Sequence, residues 1–387
     1  MNLMMIGLGD AGLADPRSEP VRRHLEYARR AGGHIDLIVD SPSGATSEHG
    51  ALTVRRTGVS RPQFPAAARS LALAAARQNL PDVIATQDPF ATALAGLWIR
   101  RTLRCPLLIQ NHSSVFFNSH WIAERPILFR ALHLLARFLI PRADAWRVVN
   151  SRERTVYVER LGLPAERVRV VPVPCDLRTF ARRRTAEDAT RTRKNLDLPP
   201  GVPLIVWAGR PVRFKRLPLL FRAFAGIRAR LPDARLVVAG RKQLAQEDLD
   251  RAAHSAGIAG SLIWAGELDR DGLAGLFGAA DVFLYSSIYE GFGRVLVEAG
   301  AAGLPVVATA TAGAADIVRD GETGFLVPVE DAPALVQRTG GLLSDRALRI
   351  RMGKAARKRI RKAFDMEKMF AAVVSQWRDA VAGEVRA

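Results

Sequence analysis

The chain has 387 residues, 57 Lys plus Arg against 38 Asp plus Glu, a formal net charge of +19 and 48% hydrophobic residues. An ordinary apolar fraction with charge spread along the chain excludes a mainly disordered protein. At roughly 150 residues per domain, the length points to two domains, each large enough to bury a core. The excess charge is arginine, 50 Arg against 7 Lys, and residues 1–176 carry 23 Arg against 15 acids while the remainder carries 34 basic residues against 23. A nucleic-acid binder gathers its cations on one stripe beside a recognition motif. Neither is found, so no nucleic-acid partner is expected, and the anionic partners left are phosphates and a membrane surface.

In chain order, short apolar runs alternate with helical periodicity, the pattern of parallel sheets covered by helices. Strands are expected over 3–6, 34–39, 83–86, 107–110, 145–149 and 168–171, with helices over 17–31, 65–78 and 126–139. The first residues, MNLMMIGLG, lack a basic lead and a small-residue cleavage site, so they read as a first strand and not as a signal peptide. Over 173–200 the pattern lapses among prolines and arginines and reads as a linker. A second series of strands follows over 204–208, 235–239, 262–264, 282–285, 306–308 and 324–327. The expected fold is α/β with two doubly wound, Rossmann-like domains, 1–180 and 181–365, and a basic C-terminal helix over 366–387 that packs back on the first domain. Two long uncharged stretches, 105–123 and 299–315, are broken by Asn, His, Ser, Gly or Pro, so neither is a membrane span. Cys105 and Cys175 belong to no CxxC or Cys/His cluster, which argues against a disulfide framework or a zinc site.

Gly7, Gly9 and Gly12 form a literal GxGxxG after the first strand, and Asp40 closes the second strand. A dinucleotide site needs the helix already under way at the third glycine. Pro16 and Pro20 interrupt that stretch, so Gly12 is expected in a loop at the ligand edge of the sheet. An NAD(P)-dependent oxidoreductase is therefore the alternative and not the leading function.

The sharpest segment runs from Ser286 to Ala299. A strand ends, a turn flanked by Gly291 and Gly293 follows, and a helix opens near Gly293. Backbone N–H groups at a helix start bind anions, and glycines let a phosphate come close. Glu290 and Glu298, which would repel that phosphate on contact, suit hydroxyl pairs instead. The loop after the strand 204–208 supplies countercharge: Gly209, Arg210 and, five residues on, Lys215. Such a set fits a ligand with phosphates in the middle and a sugar at each end.

These residues resemble the GT-B glycosyltransferases of family 4, retaining enzymes that use nucleotide sugars. Glu290 to Glu298 is similar to that family's E-x7-E signature, and Gly209-Arg210 with Lys215 to its G-R-x4-K loop. The segments Ala280-Asp281-Val282, Gly303-Leu304-Pro305-Val306 and Asp320-Gly321-Glu322-Thr323-Gly324 keep the family's order. The resemblance implies two domains facing a cleft, and transfer of a hexose from a nucleotide sugar to a glycan or lipid-linked acceptor with retention of configuration. Cell-surface polysaccharide or glycolipid synthesis is the implied setting. Arg210 and Lys215 would neutralise the donor diphosphate and Glu298 would hold the ribose. Glu290, with the N–H groups of Gly291, Phe292 and Gly293, would bind the transferred sugar. His112, in the loop after the strand 107–110, resembles the family's first-domain histidine that reaches the donor sugar. Gly9, Gly12 and His24 are the acceptor-side candidates, His24 being equally readable as a helix-surface residue. A same-fold nucleotide-sugar epimerase is the near alternative.

No cofactor or metal is expected; Asp248-Leu249-Asp250 and Asp269-Arg270-Asp271 fit D-x-D only by chance spacing. The chain departs from the family at Arg216, where Gly is frequent, at Asp316, where Glu is frequent, and at Pro172-Val173-Pro174-Cys175-Asp176. It also lacks the first-domain G-G-x-x-x-H pattern. The expected location is cytoplasmic, peripheral at the inner face of the membrane, because residues 121–146 interleave Trp, Phe and Leu with Arg.

Overall fold

The computed structural model describes residues 1–182, 184–199, 201–241 and 246–383. Two units form: residues 1–174 with 367–387, and residues 175–366. The first holds strands β1 (Leu3–Gly7), β2 (Ile35–Val39), β3 (Thr46–His49), β4 (Leu52–Arg56), β5 (Val83–Thr86), β6 (Leu107–Asn111), β7 (Ala145–Val148) and β8 (Val168–Val170). Their order is β3-β4-β2-β1-β5-β6-β7-β8, parallel except for β3 against β4. The second holds β9 (Leu204–Ala208), β10 (Arg235–Ala239), β11 (Leu262–Gly266), β12 (Val282–Tyr285), β13 (Val306–Thr309) and β14 (Gly324–Val327), all parallel, in the order β11-β10-β9-β12-β13-β14.

Strands buried on both faces read as continuous apolar runs, and β9 (Leu-Ile-Val-Trp-Ala) and β12 (Val-Phe-Leu-Tyr) are buried throughout. The helix Leu217–Arg228 turns Leu220, Phe221 and Phe224 onto the β9 face, where they share a core with Trp207, Leu236 and Leu284. Each such side chain stabilises the fold by roughly 1.5–3 kcal/mol on burial. In both sheets the strand order reverses beside the unit's first strand, between β1 and β5 and between β9 and β12. Ligands of open α/β sheets bind at the carboxyl ends of the strands flanking that reversal.

The unit boundary falls at 174/175 and not at 180/181. Phe180, 2% exposed, packs on Phe277 at 5.9 Å, which commits the short helix Arg178–Ala181 to the second unit. The supposed linker also holds the helix Ala186–Asn195, started by a capping box in which Thr185 and Asp188 bond each other's backbone N–H. Arg183 and Pro200 of that stretch, and 384–387 at the chain end, lie outside the described residues. The last helix, Met366–Ala382, packs within the first unit: Phe370 and Trp377 meet the Tyr27 ring edge-on at 5.0 and 5.1 Å, and Gln376 Nε2 donates to the Trp146 carbonyl at 2.9 Å.

Candidate active site

At the carboxyl end of β9 the chain must turn away from its neighbour without a side chain in between. Gly209 N–H donates to the Ala239 carbonyl at 2.9 Å, at the end of β10. Gly240, next in that strand, has φ 152°, and a Cβ there would lie 1.9 Å from the Gly209 oxygen. Glycine is therefore required where the two loops touch. Beyond Gly209 (φ 149°) the loop passes exposed Arg210, makes a single 3₁₀ turn, Arg213–Lys215, and enters the helix Leu217–Arg228. Among the described residues Arg210 has no ion pair.

Arg216, the residue between Lys215 and that helix, sits in the left-handed region at φ 51°. This accounts for the Gly that the family favours there. Arginine in that conformation costs about 1–2 kcal/mol. Here it makes a two-bond ion pair with Glu330, Nε to Oε1 at 2.5 Å and Nη2 to Oε2 at 2.7 Å.

The loop after β12 meets this one. Ile288 N–H donates to the Phe214 carbonyl at 2.9 Å, and Ser286 Oγ donates to the Lys215 carbonyl at 2.8 Å. The rings of Phe214 and Tyr289 stack with centroids 4.9 Å apart. So braced, Lys215 Nζ forms an ion pair with Glu290 Oε2, and the Tyr285 hydroxyl donates to that same oxygen at 2.9 Å. Burial, then the Glu290 charge, pushes the Tyr285 phenol well above its ordinary pKa, which keeps it a donor. Lys215 Nζ also lies 5.2 and 5.4 Å from the Tyr285 and Phe214 ring centroids, an added cation–π attraction.

Gly293 (φ 82°) is the N-cap of the helix Arg294–Ala302 and supplies no side-chain cap. The positive end of this helix therefore faces the turn that carries Glu290. Gly313 N–H donates to the Glu290 carbonyl at 3.1 Å, and a Cβ on Gly313 would lie 2.3 Å from the Phe292 oxygen. Glu298, 8% exposed, lies one turn inside the helix and accepts from Arg294 Nε at 2.9 Å. Gly209, Arg210, Lys215, Glu290, Gly291, Phe292, Gly293 and Glu298 thus gather at the ends of the adjacent strands β9 and β12.

The remaining candidates belong to the first unit. His112 is exposed just beyond β6. Its neighbour Asn111 is buried, accepts from Ser113 N–H at 3.0 Å and Ser113 Oγ at 2.7 Å, and donates to Glu153 Oε2 at 3.2 Å. His24 is not a surface residue. It is 3% exposed with Nδ1 2.7 Å from the Pro20 carbonyl, and burial, followed by the Arg23 charge, lowers its pKa to about 4. Gly9 (φ 77°) and Gly12 (φ 75°) lie in the loop after β1, and the helix begins only at Glu19 under a Ser18 cap. Asp40, which a dinucleotide site would reserve for ribose, accepts instead from Gly9 N–H and from Arg61 Nε at 3.2 Å.

Several residues with a part in this geometry escaped the sequence reading. Tyr285 was legible only as a strand end, and Glu330 only as a loop acid. Asp88 and Glu153 were silent, although burial raises both carboxyl pKa values, that of Glu153 to about 8. Of the D-x-D matches, Asp269 caps a helix by accepting from Gly272 N–H at 2.7 Å, and Asp248 pairs with Arg251 on a helix surface.

Two tandem doubly wound parallel-sheet units, the second with a basic and glycine-framed switch point, define the GT-B class of protein. Residues 188–359 match the family described as Glycosyl transferases group 1, and residues 21–179 match Glycosyltransferase Family 4. The chain belongs to glycosyltransferase family 4 of the GT-B fold. Among its relatives is a D-inositol 3-phosphate glycosyltransferase of Xylanimonas cellulosilytica, 35% identical over 240 residues, 60% of this chain and 56% of that one. The sulfoquinovosyl transferase SQD2 of Arabidopsis thaliana is 27% identical over 352 residues, 87% and 66%. The chain thus spans between about half and two thirds of the length of these relatives. Similar solved structures include the Anabaena protein HepE in complex with UDP and glucose (TM-score 0.77, 18% identity, 98% and 100% covered). A second is sucrose-phosphate synthase from Thermosynechococcus elongatus (TM-score 0.81, 24% identity, 99% and 100%). At these identities the likeness is one of fold.

Proposed function

We propose that the protein transfers a hexose from a nucleotide sugar to a glycan or lipid-linked acceptor, with retention of anomeric configuration, in cell-surface polysaccharide or glycolipid synthesis. The observation that carries this reading is the Lys215–Glu290–Tyr285 cluster at the mouth of a helix whose N-cap is Gly293. Cleaving the bond between the anomeric carbon and the diphosphate leaves negative charge on the leaving group and positive charge on the ring. Lys215, Arg210 and the helix N-terminus stabilise that leaving group more in the transition state than in the ground state. Lys215 must then loosen from Glu290 as the diphosphate arrives. The freed carboxylate accepts hydrogen bonds from the sugar's hydroxyls, and Tyr285 keeps it oriented. Glu298 would exchange its Arg294 contact for the ribose diol.

The donor side is supported by the structures solved with UDP and UDP-glucose, HepE among them. Relatives named for D-inositol 3-phosphate make a phosphorylated polyol one acceptor to include. The test is diphosphate release from UDP-, GDP- and ADP-sugars, first alone and then with inositol 3-phosphate or lipid-linked sugars. Release with one nucleotide, stimulated by an acceptor, is expected. Thermal stabilisation by NAD(P) with no response to any nucleoside diphosphate would overturn the reading.

A further inference from the structure

The helix Pro126–Leu139 in the first unit is amphipathic, yet it buries only Ala136 and Leu139. Ile127, Leu128, Leu134 and Phe138 stay 88%, 47%, 64% and 51% exposed, half of the large exposed hydrophobic side chains among the described residues. Ile127, Ala131, Leu134 and Phe138 recur at helical spacing and make one stripe roughly 16 Å long. Arg130 and Arg137 border that stripe on one side. At its end the Arg142 guanidinium lies 3.5 Å from the centre of the Phe138 ring.

A second feature adjoins this one. The helix Ala91–Leu103 packs against Pro126–Leu139, carries Arg100 and Arg101 in its last turn and is followed by Arg104 at its C-cap. These three and Arg142 line a cavity of about 610 Å³, together with Leu97, Pro141 and Asp144. Asp144 is already engaged, by Arg100 Nη2 at 2.7 Å and by Leu107 N–H at 2.8 Å. Arg101, Arg104, Arg125, Arg130, Arg137 and Arg142 are exposed, and among the described residues none of the six has an ion pair.

We propose that this face docks on an anionic phospholipid bilayer, with the Ile127–Leu134–Phe138 stripe in the acyl boundary and the arginine-lined cavity on lipid phosphate. Unopposed guanidinium groups this close together repel one another unless an anion lies against them, and phosphate accepts their forked donors. A solvent-facing apolar stripe is unfavourable in water and favourable in a bilayer interface, and a basic helix beside it is the combination that holds a protein on anionic lipid. Nucleic acid matches the charge and not the stripe. The inference does not rest on the transferase reading, since docking needs neither donor nor acceptor.

The test is cosedimentation of the full chain with vesicles of phosphatidylcholine, with and without phosphatidylglycerol. At least about tenfold more protein should sediment with the anionic vesicles at low salt, falling as salt rises. Replacing Ile127, Leu134 and Phe138 by Ser should cut that binding by about tenfold or more, as should Arg101→Glu with Arg104→Glu. Because these side chains are exposed, unchanged thermal midpoints would certify that the variants fold. Inorganic phosphate should compete only weakly, because it cannot replace the apolar contact. Equal sedimentation with both vesicle types overturns the proposal. So does undiminished binding of the Ser variant, or retention by soluble polyglutamate but not by anionic vesicles.

Discussion

At the ends of β9 and β12, Lys215 and Glu290 keep 13% and 22% of their side chains exposed and neutralise each other. At the end of β5, Asp88 Oδ2 is buried without a hydrogen-bond partner, and against Asn111 at the end of β6 lies Glu153, 1% exposed in the short helix Ser151–Thr155 after β7; burial raises both acids. The first pair flanks its sheet's reversal and the second lies one strand beyond its own, and they handle charge in opposite ways. An edge that must take up and release a polyanion keeps ions that can exchange partners. An edge that supports a loop can hide a carboxyl by protonating it, leaving Glu153 neutral enough to sit beneath Asn111 and the turn that carries His112.

The largest effect should come from breaking the wet edge. Lys215→Ala removes a cation from the developing diphosphate charge, and turnover should fall at least about a hundredfold, roughly 2.7 kcal/mol of transition-state stabilisation. Steady-state kinetics with the responsive nucleotide sugar measures this, and unchanged kcat would remove Lys215 from the chemistry. Next is the glycine contact that brings the two loops together. Gly240→Ala puts a methyl group 1.9 Å from the Gly209 oxygen at φ 152°, which should cost about 2 kcal/mol or more of stability. Gly9→Ala, at φ 77° with nothing within 4 Å, should cost only about 1 kcal/mol. Equal losses in thermal unfolding would mean that backbone conformation, and not close approach, decides both sites.

The dry edge is tested by pH. The Glu153 pKa is raised from 4.5 to about 8 in the folded chain, so folding holds a proton that the unfolded chain releases. Its stabilising contribution is fully present below about 4.5 and is lost as pH rises through 8. His24 works the other way. Its pKa falls from 6.5 to about 4, so its contribution is present above 6.5 and lost as pH drops through 4. Glu153→Gln should therefore flatten the alkaline decline, by on the order of 1 kcal/mol between pH 6 and 8, and leave the acid limb intact. Denaturant titrations across that range decide it. An unaltered alkaline limb in the Gln variant would mean that Glu153 is ionised in the folded protein.

How much of this was legible depends on distance along the chain. Strands β9 and β12 and the glycine turn could be read because apolar runs and Gly-flanked turns are local signals. The Lys215–Glu290 ion pair joins residues 75 positions apart; complementary chemistry and the family resemblance put both in one site, but nothing local shows that they pair with each other. Strand β3, Thr-Ser-Glu-His, is a polar edge strand with no apolar alternation, and β4, Leu-Thr-Val-Arg-Arg, buries Leu52 and Val54 but ends in two arginines that hide the pattern. The helix Ala186–Asn195 reads as linker in the sequence because none of its residues is buried, so no periodicity marks it; its capping box is the local signal. His24 looked like surface because arginines precede it, yet its helix turns Val21, His24 and Ala28 inward together.

The smallest expected effect concerns Arg216, and it asks why the Lys215 loop gives up a glycine. Arg216 at φ 51° and Glu330 at φ 68° are both strained, and each is the other's partner. With side chains 35% and 31% exposed, the ion pair contributes about 1 kcal/mol or less, close to what one left-handed residue costs. Arg216→Gly removes both terms and should change stability by no more than about 0.5 kcal/mol. Glu330→Ala loses the pair while both positions stay strained, so it should cost more, about 1 kcal/mol. The double variant Arg216→Gly/Glu330→Gly relieves both backbones and should be at least as stable as the parent, while its kcat falls less than tenfold because Lys215 is held less firmly. A stable double variant with lowered kcat would show that the pair positions the loop and does not stabilise the fold. A double variant less stable than Glu330→Ala would reverse that assignment.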